Sequence, residues 1–392
     1  MTQQFRDCGP PALESGLFAG RHSSGGVLPL FAGRRATFTY KTRVAIRRAC
    51  DFLGLVPGDE VLAPGYNCGS ELDPLRHAGL TIRLYPVNLA AEIDPEVVEV
   101  RVGPRTRAIY VTHYFGFLQP QLAGLRALCD RLGLYLIEDC ALSLLSGSMP
   151  ADGRTGDVAV FCFYKFFPVI GGGALVINRD LPGDPPPLRP APAGEIGRQI
   201  LKQGLKTLLG AGLRDRARTL RGWQPDQPVS PDSADSGVAT QGAEASDMPK
   251  HYYFDSNLRD RRISRLTQRA LGGQDVYGAI RHRRENYLTL QGLINGIKGV
   301  TMLHPDLPSH VCPLNLPILV SQRDTVIRHL VEQGIAANPW WAGYNRHLDW
   351  DDVGDARHLK DSLLTLPIDQ RLGSDHLKQI ANRLARVLRE IG

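Results

Sequence analysis

Three stretches of this chain hold residue types suited to chemistry on a bound ligand. Tyr135-Leu-Ile-Glu-Asp139 reads as a short strand that ends in an acid. A carboxylate there can hold the protonated nitrogen of a pyridine ring, which lets the ring accept electrons from a substrate carbanion. It can equally cap a following helix. Phe161-Cys-Phe-Tyr-Lys165-Phe-Phe-Pro-Val-Ile-Gly-Gly-Gly173 sets one lysine among aromatic and apolar residues, ahead of three glycines. Desolvation favours the neutral, nucleophilic amine that Schiff-base chemistry requires, and glycines let backbone approach a ligand closely. The alternative is a snorkelling lysine paired with an acid such as Asp157. Tyr40-Lys41-Thr42-Arg43 places a hydroxyl and two cations at the start of a helical pattern, where free N–H groups suit a phosphate. A plain threonine cap explains the same residues.

The elements around these residues alternate. Residues 41–53 have helical apolar spacing through Val44, Ala45, Ala49, Phe52 and Leu53, and stop at Pro57-Gly58-Asp59. Short β-rich runs follow at 60–64, 81–86, 107–113, 135–139, 158–164 and 173–178, with a helical pattern over 121–132. Such alternation predicts a mainly parallel sheet with crossover helices, whose ligands bind beyond the carboxyl ends of the strands. After Arg179 the pattern changes. Residues 181–194 are proline-rich and read as an extended loop, residues 195–223 as an amphipathic basic helix, and residues 224–250 as a mobile polar loop. Globular character resumes at Tyr252, with one long helix predicted over 262–286 and a smaller α/β unit in 313–320, 325–333 and 377–391. The predicted domains are thus 1–180, a linker region 181–250, and 251–392.

Composition narrows the function classes. With 392 residues the chain exceeds a single core. A formal charge of +6 permits an acidic ligand, but no nucleic-acid recognition motif accompanies it. Seven scattered cysteines form no CxxC pair, which points away from disulfides or zinc and towards reduced thiols in a cytoplasm. His251 and His282 support no metal site. Neither a signal core nor an apolar run of the ~18–20 residues that a membrane helix needs is found.

Taken in order, these segments resemble the DegT-type sugar aminotransferases. The resemblance rests on Val56-Pro-Gly-Asp-Glu-Val-Leu-Ala-Pro64, Pro104-Arg-Thr-Arg-Ala-Ile, His113-Tyr-Phe-Gly116, Leu136-Ile-Glu-Asp139, Thr155-Gly-Asp157-Val-Ala and the lysine segment. It extends to Trp340-Trp341-Ala-Gly-Tyr344 and Leu366-Pro-Ile-Asp-Gln370, is poor across 181–250, and is strongest with a branch whose lysine loop is short. It implies an α/β fold-type I transferase dependent on pyridoxal 5'-phosphate (PLP), with a large mainly parallel sheet domain and a smaller C-terminal α/β domain. It also implies a homodimer with shared active sites, an amino-acid donor (glutamate by family habit) and a keto-sugar acceptor, usually nucleotide-linked.

Carried onto this chain, the resemblance makes Lys165 the Schiff-base lysine and Asp139 the partner of the pyridine nitrogen. Thr42 and Arg43 lie by the phosphate, Tyr66 by the ring, and Cys162 stands where the family has a serine before the lysine. His113 and Tyr114 border the substrate, and a residue near 260–264 reaches a neighbour's cofactor. The residues themselves leave other readings open, with His113 as a satisfied strand-end histidine and Trp340 and Trp341 as either a stacking platform or core aromatics. The chain departs from the family pattern at Leu142, Cys162, Lys41-Thr42 and Ile170-Gly171. Rival readings are a dehydratase, whose branch carries histidine at the lysine position, and a non-catalytic regulatory homologue.

Overall fold

The computed structural model describes residues 26–208 and 247–391. Its larger unit is a seven-stranded sheet. The strands are β1 (Arg35–Thr39), β2 (Glu60–Pro64), β3 (Thr81–Tyr85), β4 (Thr106–Thr112), β5 (Tyr135–Asp139), β6 (Val158–Cys162) and β7 (Gly173–Ile177). Their order is β1-β7-β6-β5-β4-β2-β3, and only β7 runs antiparallel to its neighbours. The central strands β2, β6 and β7 are buried along their whole length. Covered on both faces, they read as continuous apolar runs rather than alternating ones. Helices α1 (Thr42–Phe52), α2 (Asp73–His77), α3 (Pro95–Glu99) and α4 (Leu122–Leu132) lie between strands, and Gly133 closes α4 in a left-handed conformation.

Beyond β7 the proline-rich stretch is irregular until α5 (Ala193–Leu208). The predicted basic helix begins there, but its second half and nearly all of the predicted mobile loop lie outside the described residues. The predicted long helix over 262–286 is instead two helices, α6 (Arg265–Gly272) and α7 (Val276–Ile294). Gly272-Gly273 ends the first, and the Asp275 carboxylate caps the second by accepting from Gly278 N. A smaller C-terminal sheet has the order β10-β11-β9-β8, all antiparallel: β8 (Thr301–Met302), β9 (Leu316–Leu319), β10 (Asn338–Pro339) and β11 (Leu363–Leu366). With it come α8 (Arg323–Glu332), α9 (Ala356–Ser362) and α10 (Ser374–Ile391), and α10 packs on α7 and α8. The sequence pattern missed β1 as a full strand because its outer residues are partly exposed, and the two-residue strands because they carry no period. No helix among the described residues is long and apolar enough to cross a membrane.

Candidate active site

The carboxyl ends of the parallel strands gather the chemistry. Asp139 is the last residue of β5 and is buried. Its Oδ2 accepts from the Tyr110 hydroxyl at 2.7 Å and its Oδ1 from Ala141 N at 2.8 Å. Tyr110 shares that face because Thr112 pairs with Asp139 in the β4–β5 register and side chains alternate. Burial, then the charge of Asp139, pushes the Tyr110 phenol well up, so it remains a donor. The second Asp139 oxygen thus turns the chain after β5, and no helix follows for it to cap.

On the next strand, Val160 pairs with Asp139, which puts Cys162 on the same face two residues on. The predicted strand over 158–164 stops at Cys162, because residues 163–167 coil into a single turn. Phe166 N and Phe167 N both donate to the Phe163 carbonyl, at 3.1 and 3.0 Å. Phe163, Phe166 and Phe167 are buried, whereas Lys165 is half-buried, with Nζ 5.6 Å from the centroid of the Trp340 ring. The acid named in the alternative reading, Asp157, takes Arg126 at 2.7 Å and Leu136 N at 2.6 Å.

The third expected component divides. Thr42 is the first residue of α1, and its hydroxyl donates to the Phe161 carbonyl at 3.1 Å rather than capping the helix. Gly173 faces it so closely that a Cβ there would lie 2.8 Å from Thr42 N and Cα. The start of α1, with its unsatisfied N–H groups, therefore lies against the glycine-rich start of β7. Arg43 turns elsewhere, donating to the carbonyls of His251, Tyr252 and Tyr253.

Tyr66 and Tyr114 are buried and pack on Trp341, with ring centroids 5.0 and 6.2 Å away. Tyr66 donates its hydroxyl to the Trp340 carbonyl, and Tyr114 donates to the Tyr66 carbonyl. Trp341 is thus a core aromatic, while the half-buried Trp340 faces Lys165. His113 belongs to the other face of the sheet. Its Nδ1 accepts from Gln119 N at 3.0 Å, so Nε2 carries hydrogen and meets Glu138 Oε2 at 3.1 Å. Glu138 Oε1 accepts from Gly156 N. With Cys140 these two form a metal-like cluster within 4.8 Å, but the imidazole nitrogens and both carboxylate oxygens already have protein partners.

Two further residues had no sequence signal. Glu71 is buried in the loop after β2, with Oε1 on Cys68 N at 2.9 Å and Oε2 without a partner. Burial raises its carboxyl pKa, the Asp139 charge adds to the rise and Lys165 opposes it. Lys360, on α9, is 1% exposed, donates to the Asn67 carbonyl at 2.8 Å and lies under the rings of Tyr344 and Trp350 at 4.8 and 4.9 Å. Burial brings its pKa down to about 8. Both are set by contacts between segments distant in sequence.

Residues 38–181, which contain the strands and turns of this site, match the DegT/DnrJ/EryC1/StrS aminotransferase family. In that segment the chain is similar to this family. Among its relatives, GDP-perosamine synthase of Vibrio cholerae is 30% identical over 154 residues, 38% of this chain and 41% of that protein. The dTDP-3-amino-3,4,6-trideoxy-alpha-D-glucose transaminase of Streptomyces venezuelae is 33% identical over 142 residues, 35% of this chain and 37% of that protein. The matched part thus spans less than half the length of these relatives. The fold likeness reaches further. Helicobacter pylori PseC, an aminotransferase involved in the biosynthesis of pseudoaminic acid, superposes with a TM-score of 0.65 over 96% of each chain at 17% identity. The fold likeness therefore includes the C-terminal unit, which lies beyond the matched segment.

Proposed function

We propose that this protein is a PLP-dependent aminotransferase that moves an amino group from an amino acid, L-glutamate first among candidates, to a keto-sugar, nucleotide-linked in the simplest case. The observation that carries the reading is the convergence of Asp139 and Lys165 at the carboxyl ends of the adjacent strands β5 and β6. The residues fit PLP in three respects. A buried carboxylate braced by two donors suits a ring nitrogen, a half-buried lysine stands just beyond the neighbouring strand, and the start of α1, whose N–H groups suit a phosphate, lies against the glycine-rich start of β7. The partnerless Oε2 of Glu71 adds a buried acceptor near both Asp139 and Lys165.

When bound, PLP supplies an electron-accepting ring for chemistry at the carbon bearing the amino group. The protein does the rest. Asp139 holds a proton on the ring nitrogen, with Tyr110 fixing the carboxylate's orientation. Lys165 Nζ would hold the cofactor through its aldehyde and would serve as general base and then acid at the reacting carbon. Thr42 and the first N–H groups of α1 hold the phosphate. Trp340 covers the lysine and would border the acceptor, Cys162 would lie on the cofactor's side of the sheet with Asp139, and Tyr66 and Tyr114 pack behind Trp341. Two copies sharing their sites complete the reading, as in the resemblance set out above.

A second reading, binding of PLP or a sugar nucleotide without turnover, draws on Arg43, whose guanidinium is engaged with three backbone carbonyls. One experiment separates the two. Purified protein is mixed with PLP, reduced with borohydride and digested, and in parallel incubated with 15N-glutamate and a panel of free and nucleotide-linked keto-sugars. Label in an amino-sugar, with PLP fixed on Lys165, supports the enzyme. PLP fixed on Lys165 without label transfer from any amino donor supports the binding reading. PLP fixed elsewhere, or not at all, overturns both assignments of Lys165.

A further inference from the structure

The turn that carries Lys165 is held from the far end of the chain. It is one helical turn, so its last carbonyls lack partners within it. The Phe166 carbonyl is satisfied by Gln370 Nε2 at 3.0 Å. The Phe166 ring lies under the Arg283 guanidinium, 5.2 Å from ring centroid to Cζ. Arg283 is 2% exposed and is itself fixed from two sides: Nη1 donates to the Leu314 carbonyl at 2.8 Å, and Nη2 meets Asp369 Oδ2 at 3.4 Å. Asn286, one turn along α7, donates to the carbonyls of Ile368, Asp369 and Leu372, which fixes the loop bearing Asp369 and Gln370. A buried guanidinium is costly unless hydrogen-bonded and paired, so this constellation is a specified one. It gives the Leu366-Pro-Ile-Asp-Gln370 segment a place in the site.

We propose that Gln370 and Arg283 are positioning residues for Lys165, clamping the Phe166 carbonyl and ring so that the C-terminal unit sets where the amine points. The proposal rests on the reading of Lys165 as the reacting lysine. Gln370 removes the freedom of the turn's end. Arg283 removes the freedom of the adjacent ring. Trp340, from the same unit, meets the lysine's own tip. Any shift of the C-terminal unit against the large sheet therefore moves the lysine turn with it.

The test uses Gln370→Leu, Arg283→Met and the charge-keeping Arg283→Lys in the full chain. Two readouts are taken on folded protein: amide hydrogen exchange of Phe166 and Phe167 without PLP, and the rate at which PLP is fixed on Lys165 by borohydride across pH. Loss of one such hydrogen bond is expected to speed exchange and slow fixation by roughly tenfold, with the pH profile of fixation displaced and Arg283→Lys recovering part of the loss. Exchange and fixation both within twofold of the parent in Gln370→Leu and Arg283→Met would overturn the clamp. If Arg283→Met does not fold, Gln370→Leu and Arg283→Lys decide by the same readouts. Failure of PLP to attach to Lys165 in the parent would strike the functional reading instead, and the exchange measurement would still judge the clamp.

Discussion

Two lysines of this protein lie against tryptophan rings, and their surroundings differ in the way that separates chemistry from construction. Lys165 stands half-buried beyond the ends of the parallel strands, with Nζ over Trp340 and the carboxyl group of Glu71, itself within reach of Asp139, in electrostatic contact. Lys360 is enclosed in the C-terminal unit between Tyr344 and Trp350, with the Asn67 carbonyl as acceptor. The second is the more deeply desolvated and also feels Glu71, yet it is closed off from solvent and ties α9 to the loop after β2. If Lys165 is the reacting amine, as proposed, then desolvation alone does not mark it; access does.

The comparison breaks most visibly by substitution. Lys165→Ala is expected to reduce amine transfer by ~1,000-fold or more, with the melting temperature within about 2 °C of the parent. A variant that still turns over would remove the lysine from the mechanism. Asp139→Ala should lower kcat by roughly 100-fold and weaken PLP binding in equilibrium titration. An unchanged kcat would leave the carboxylate a merely structural strand end.

Lys360 calls for a stability measurement instead. Its folded pKa is lowered from 10.5 to about 8, so the folded state disfavours the charged form. Below pH ~8 the lysine is charged in both states and the full penalty is present. As pH rises towards 10.5 the unfolded chain binds more protons than the folded one, and stability climbs by up to about 3 kcal/mol. Burial is the main cause; Cys68, Glu71 and Asp361 oppose it, and Arg323 adds to it. Denaturant midpoints of Lys360→Met between pH 7.5 and 10 should lack this climb, and a slope equal to the parent's would assign it to another group. The smallest effect is expected at His113. His113→Ala leaves Glu138 Oε2 and Gln119 N–H without their partner and should cost about 2 kcal/mol while changing kcat/KM less than threefold. A larger kinetic loss would place the imidazole in substrate binding after all.

Much of the large unit was legible because its strands are short, buried and bounded by turns. The bounds of 60–64 and 135–139 coincide with β2 and β5, and the predicted helix over 41–53 is α1 with one residue trimmed at each end. The predicted strand over 158–164 overran because Phe163 and Tyr164 have strand-like side chains, whereas the turn is set by hydrogen bonds to the Phe163 carbonyl. The helix predicted over 262–286 missed a break made by two glycines and a capping aspartate. Of the candidate site residues, Asp139 and Lys165 are placed by the strand pattern at and after strand ends, and Cys162 by the family resemblance. Neither places Arg43 or His113, because each is captured by partners far away in sequence: carbonyls at 251–253 and the Glu138 carboxylate.

By itself, then, the sequence determined the alternation of strands and helices, the acid at the end of β5 and the lysine after β6, because these depend on local periodicity and on residues within a few positions of one another. Only the tertiary structure decided that Tyr110 braces Asp139, that Glu71 joins the site with one oxygen unpartnered, that Trp340 rather than Trp341 faces the lysine, and that Gln370 and Arg283 hold its turn. The first two require side chains from separate strands and loops of the large unit to meet, and the last two require side chains from both units. Which atoms meet is fixed by packing and by the need of every buried polar group for a partner, and no spacing along the chain records it.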